Sequence, residues 1–134
     1  MRSFILNKLV KDKVFVNMQE LGQKITYRKL ARGEFLLKLH KKLLEEANEF
    51  DPKNEKTDIE LADLLEVIEQ IGKELGKDFS TLRKLQQERH KKRGGFDKRI
   101  FVERLDLQED DPWADYYAGE PDRFTEVISK KAKR

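Results

Sequence analysis

Cysteine is absent from the chain, which excludes a disulfide framework, a thiolate metal centre and a cysteine nucleophile. A charge excess of one sign is also lacking. Charged residues make up 41% of the sequence, yet the net charge is only +3, so the charges are mixed and a general nucleic-acid binder is disfavoured. No apolar run approaches the roughly 18 residues that a membrane span needs, and the run in MRSFILNKLVKDK is too short for the core of a signal peptide. Together these absences predict a soluble, unexported protein in a reducing, cytoplasmic setting. One domain is the default for 134 residues, with Pro52 and the acidic stretch near Asp110 as candidate internal boundaries.

What is present is helical period. Between Ala31 and Phe50, the residues Leu36, Leu39, Leu43, Ala47 and Phe50 recur at steps of three and four, the spacing of one buried helix face. Asp51-Pro52 ends that helix, because a residue preceding proline disfavours helical geometry. A second stripe, Leu61, Leu64, Leu65, Ile68, Ile71 and Leu75, predicts a helix over 58–75 with Gly76 as its C-terminal cap. A third helix, begun by Asp78 or Ser80 and carrying Leu82, Leu85 and His90, stops at Gly94-Gly95. Leu9, Val10, Val14, Met18 and Leu21 predict a short N-terminal helix closed by Gly22, with ITYRKL extended after it. Consecutive helices with short loops predict an all-α fold, an antiparallel helical bundle, over residues 1–103. Residues 104–134 mix acids, Pro, Gly and aromatics before a basic end, and read as an appendage that docks or stays mobile.

Within KLLEEANEFDPKNEKTDIELADLLEVIEQI, carboxylates lie beside the richest apolar positions. At about 100° per residue, Glu46 sits about 80° and Glu49 about 140° from Leu36, while Glu45 faces nearly the opposite way. On the next helix Glu60 and Asp63 follow the Val67 edge of the stripe. Each helix therefore carries a three-apart carboxylate pair along one margin. Most acids here have a base three or four residues away: Lys41 for Glu45, Lys42 for Glu46, Lys56 for Glu60 and Lys73 for Glu69. Asp63 has none, and Glu49 is left with Glu45, Glu46 and a lysine beyond the proline. If the two helices bring these pairs together, each carboxylate contact at about 5.5 Å costs about 3 kcal/mol at an effective dielectric near 20. A positive element between them is expected. Oxygen donors without nearby His or Cys point to a hard cation, Mg²⁺ or Mn²⁺, with coordination positions left for phosphate oxygens. A second reading stays open for Glu60, since Thr57-x-x-Glu60 also matches a capping box.

At these residues the sequence resembles the MazG-like branch of the all-α nucleoside triphosphate pyrophosphohydrolase superfamily, which includes phosphoribosyl-ATP pyrophosphohydrolase. The family signature, EExxE followed by ExxD, is matched by Glu45-Glu46-x-x-Glu49 and Glu60-x-x-Asp63. NKLVKDKV at Asn7–Val14 is similar to the NKLVRDKI opening of many small members, with Lys11 where Arg is usual, and ERHKKRGGFDKRIFVE is similar to their block after the third helix. The resemblance implies a helical core that assembles as a homo-oligomer, and Mg²⁺-dependent cleavage between the α and β phosphates of a nucleotide. It implies Glu46, Glu49, Glu60 and Asp63 as metal ligands, with Glu45 and Glu49 as candidate catalytic acids or bases. Lys8, Lys11, Lys92 and Arg93 then become candidate phosphate-binding residues, with Lys13 in reach of the same group.

Other residues read more simply. Phe96 is either a base-stacking ring or core after a glycine turn. His40 fits a core or interface histidine, and His90 a cation at a helix end. Trp113, Tyr116 and Tyr117 form either a docking cluster or a small satellite core. Two competing functions remain: phosphoribosyl-ATP hydrolysis, and a non-catalytic module binding nucleic acid or protein through Arg89, Lys91, Lys92, Arg93, Lys98 and Arg99.

Overall fold

A computed structural model describes residues 1–128. Every regular element among the described residues is helical: α1 (Asp12–Glu20), α2 (Arg32–Glu49), α3 (Thr57–Glu74), α4 (Phe79–Arg93) and α5 (Trp113–Ala118). None is long and apolar enough to cross a membrane. The chain divides into two compact units, Met1–Gly94 and Gly95–Arg134, so the division falls between the two glycines that end α4.

Local chemistry sets the helix ends. After α1 and again after α3 the chain turns through a glycine of positive φ, Gly22 at 72° and Gly76 at 73°. At the first, Gln23 N–H donates to Met18 O (3.2 Å) and Gly22 N–H to Gln19 O (3.0 Å); at the second, Lys77 N–H donates to Gly72 O (2.7 Å) and Gly76 N–H to Lys73 O (3.1 Å). This paired pattern closes off carbonyls that a helix end leaves unpartnered, and glycine enters the left-handed region without a Cβ penalty. Asp78 rather than Ser80 caps α4, its carboxylate accepting from Thr81 N (2.8 Å) and Thr81 Oγ1 (2.8 Å). The Thr81 amide, and then its hydroxyl, hold the Asp78 carboxyl below its ordinary pKa. The ITYRKL segment forms no strand, and Tyr27 packs edge-on against Phe15 with ring centroids 4.6 Å apart.

Helices α2 and α3 form an antiparallel hairpin tied at both ends. Arg32 Nη2 donates to Glu74 O (2.6 Å) at one end, and Asp51 N–H donates to Glu60 Oε2 (2.9 Å) at the other. The Arg28 guanidinium grips Glu34 in the first turn of α2 and holds its carboxyl below the usual range, chiefly through their hydrogen bonds. Helix α4 packs back on α3. There the buried Gly72 lets the Lys77 carbonyl and Leu82 come close. An open apolar hollow of about 210 Å³, lined by Leu43, Ile68, Ile71, Leu75 and Leu82, lies among these three helices.

The covered face of α2 keeps Leu36, Leu39, Leu43 and Phe50 of the expected stripe and extends past it over Phe35, Lys42 and Glu46, while Ala47 and His40 are exposed. The reason is that long charged side chains lay their methylene stems on apolar surface while keeping their heads at the rim. A core role for His40 within this chain is therefore not met. On α3 the apolar stripe splits. Leu64, Val67 and Ile71 face inward, whereas Leu61, Leu65 and Leu75 stand about half exposed. Leu39 and Val67 are the only buried hydrophobic side chains among the described residues.

In the second unit, Asp111 Oδ1 accepts from Trp113 N–H (2.8 Å) and starts α5 just after Pro112. Trp113, Tyr116, Tyr117 and Phe124 then make a chain of edge-on and tilted ring contacts, with Tyr117 and Phe124 centroids 4.9 Å apart. This is the satellite cluster that the spacing of these aromatics allowed. Phe96 is exposed.

Candidate functional site

Glu60, Asp63, Leu64, Val67, Gln70 and Ile71 share one covered face of α3, at helical steps. Both acids of the ExxD motif are consequently half-buried along the hairpin rather than out in solvent. On α2, Glu46 is the most covered acid of its motif, with a side chain 14% exposed against 29% for Glu45. Glu49, the last residue of α2, is exposed and makes no ion pair among the described residues.

Each covered acid has a positive or donor group on it. Asp63, which has no base nearby in sequence, receives Lys11 Nζ at 3.1 Å from 52 positions away. Lys11 occupies the N-cap position of α1, so the NKLVKDK block reaches the ExxD helix directly. Lys42 Nζ lies 3.5 Å from Glu46 and 3.9 Å from Glu45, so one ammonium serves both acids of the EE pair. Glu45 thus turns to Lys42 and not to Lys41. Glu60 is held differently: its oxygens accept from Asp51 N (2.9 Å) and Asn54 Nδ2 (2.6 Å) in the α2–α3 loop. Thr57 is the first residue of α3 and no side chain caps that end, so the capping-box alternative for Glu60 is not adopted.

The donor set is all oxygen, which suits a hard divalent cation. Two ammonium groups already occupy the positive positions beside Asp63 and the Glu45–Glu46 pair. Among the described residues no three carboxylates or imidazoles are drawn together around one point.

The basic candidates fall in two places. Lys92 and Arg93 end α4, exposed, at Gly94, whose φ of 78° and N–H to His90 O (2.7 Å) terminate the helix. Neither makes an ion pair among the described residues. Lys8 lies against α2, beside Lys38 and Lys41. Neither of those α2 lysines was singled out by motif. Their signal in the sequence is the K-x-x-K-K spacing over 38–42, which puts three cations on one side of a helix. Comparison with family models, curated proteins and solved structures returns no match for this chain.

Proposed function

We propose that the protein is a Mg²⁺-dependent pyrophosphohydrolase of nucleoside triphosphates or close relatives, releasing a monophosphate and pyrophosphate. The observation that carries this reading is the pairing of the two acid motifs with lysines on the α2–α3 hairpin: Asp63 with Lys11, and Glu45 and Glu46 with Lys42. Carboxylates kept half-buried with ammonium counter-charges form a place where a cation is at home, and the freed lysines are natural partners for phosphate oxygens. Glu46, Glu49, Glu60 and Asp63 would hold the metal. When bound, Mg²⁺ supplies charge neutralisation of the phosphoryl oxygens and a more acidic water. Glu45, one residue from Glu46 and sharing its lysine, would orient that water. Lys8, Lys11, Lys92 and Arg93 would hold the phosphate charge. Positioning and charge neutralisation account for most of the catalysis in phosphoryl transfer.

The same reading includes assembly, with a second copy of the chain completing the bundle. Its support is the half-exposed Leu61 and Leu65 on α3 with Leu37 and Leu44 on α2, beside a core of only two buried hydrophobic side chains among the described residues. Light scattering at micromolar concentration should return at least twice the 15.9 kDa chain mass. A monomer at that concentration would overturn the assembly.

A panel of nucleotides incubated with Mg²⁺, phosphoribosyl-ATP among them, tests the activity. Monophosphate with pyrophosphate is the expected product pair. Diphosphate with phosphate, or no turnover of any member by folded protein, rules the reading out. The exposed basic last turn of α4, His90 to Arg93, favours one rival: a metal-independent nucleic-acid binder. Its affinity should fall steeply with salt.

A further inference from the structure

The segment Asn7–Leu9 lies against α2 and encloses with it a small hollow lined by Lys8, Lys38, Lys41, Lys42 and Glu45. Four lysines and a single glutamate therefore line one space. Lys38, Lys41 and Lys42 are neighbours at helical steps of three and four, where like charges oppose helix formation. Lys42 is compensated by Glu45 and Glu46, and Lys38 lies within electrostatic reach of Glu34, whose carboxyl Arg28 chiefly, and Lys38 after it, hold below its ordinary pKa. Glu34, one turn before Lys38, is gripped by Arg28. Lys8, Lys38 and Lys41 make no ion pair among the described residues. Asn7 has a φ of 46°, in the left-handed region that asparagine tolerates better than most residues, and so turns the chain just where Lys8 and Leu9 meet α2.

We propose that this hollow, which borders the acid cluster at Lys42 and Glu45, is an oxyanion site that takes a phosphoryl group through Lys8, Lys38 and Lys41 without a metal. Its interior, about 10 Å³, has room for one water-sized atom. It cannot enclose a base or a sugar. One phosphate oxygen enters while the remaining oxygens stay at the mouth, where lysine ammonium groups act as freely oriented point charges. The favoured ligand is a small molecule ending in phosphate or pyrophosphate. A single hollow with mixed charge around it does not offer the continuous basic track that a nucleic-acid backbone requires.

Full-length protein in chelator, titrated calorimetrically with inorganic pyrophosphate, tests the site against a charge-matched control. Saturable 1:1 binding is expected, weakened at least about tenfold in a Lys38→Ala/Lys41→Ala variant because two charge-assisted contacts are removed. A Lys24→Ala/Lys84→Ala variant, with the same net charge and two exposed lysines lost elsewhere, should bind as the wild type does. Equal weakening in both variants, or no saturable binding, overturns the site. So does an oligothymidylate that binds more tightly than pyrophosphate and loses affinity in the Lys38/Lys41 variant. Because no metal is present, pyrophosphate binding with no hydrolysis anywhere in the nucleotide panel removes the proposed enzyme and leaves this site standing. Hydrolysis with no response to Lys38→Ala/Lys41→Ala does the reverse.

Discussion

Replacing Gly72 by alanine should destabilise the protein by about 2 kcal/mol, the middle of the range for overpacking a filled site. Helix propensity alone predicts the opposite sign, because alanine in a helix interior is favoured over glycine by about 1 kcal/mol. The tertiary contact decides between them. A Cβ at position 72 would stand 2.4 Å from the Lys77 carbonyl oxygen and 2.8 Å from Leu82 Cδ1. Leu82 borders the apolar hollow and has somewhere to go. The Lys77 carbonyl has not, since Lys77 N–H is fastened to Gly72 O at 2.7 Å within the turn that closes α3. The clash is therefore with backbone that the helix ending itself holds in place, and relief requires shifting the α3–α4 connection. Gly33, in the first turn of α2, is the control: nothing lies within 4 Å of its added Cβ. Gly33→Ala should leave stability unchanged or raise it by up to about 1 kcal/mol. Chemical denaturation of both variants reads the two signs. A Gly72→Ala protein as stable as wild type would mean that α4 does not pack on Gly72 in solution.

Gly72 also marks where the sequence stops being legible. Its place inside the apolar stripe is visible in the sequence, but the reason for it is a carbonyl and a leucine from beyond the next turn. The helices with local punctuation were readable. Asp51-Pro52, Gly76, Asp78 and Gly94 set the limits of α2, α3 and α4 to within a residue or two of those found, because caps and turns act over a few residues. The margin of the α2 face was not readable: spacing puts Ala47 on the apolar stripe and Glu46 at its border, whereas the folded chain covers Glu46 and leaves Ala47 exposed. Asp63 shows the same limit from the other side. Its lack of a nearby base singled it out, and the base it uses, Lys11, arrives only through folding. For the Lys8–Lys38–Lys41 hollow, the lysine spacing on α2 was in view, but the approach of Asn7–Leu9 to it was not.

Asp63→Asn should lower triphosphate hydrolysis by more than about a hundredfold, beyond the 10- to 100-fold typical of losing a mere outer partner of a metal ligand. The fold should survive. The one ion pair of Asp63 among the described residues, with Lys11, joins side chains that are 37% and 61% exposed, and exposed pairs contribute at most about 1 kcal/mol. Circular dichroism and the denaturation midpoint should therefore stay close to wild type while turnover is lost. Arg93→Ala should fail in a different way. Arg93 ends α4 without an ion pair among the described residues, so its loss disturbs no acid, and Mn²⁺ titrated into the empty protein should bind as it does to wild type. What falls is affinity for a non-hydrolysable triphosphate, by about tenfold for one charge-assisted contact. In Asp63→Asn the order reverses, Mn²⁺ binding weakening first and triphosphate binding only through it. Full turnover by folded Asp63→Asn in a chelator-controlled assay would remove Asp63 from the mechanism. If Arg93→Ala keeps its triphosphate affinity and loses affinity for single-stranded nucleic acid, the basic end of α4 serves another partner, and phosphate binding falls to the lysines that face the hairpin.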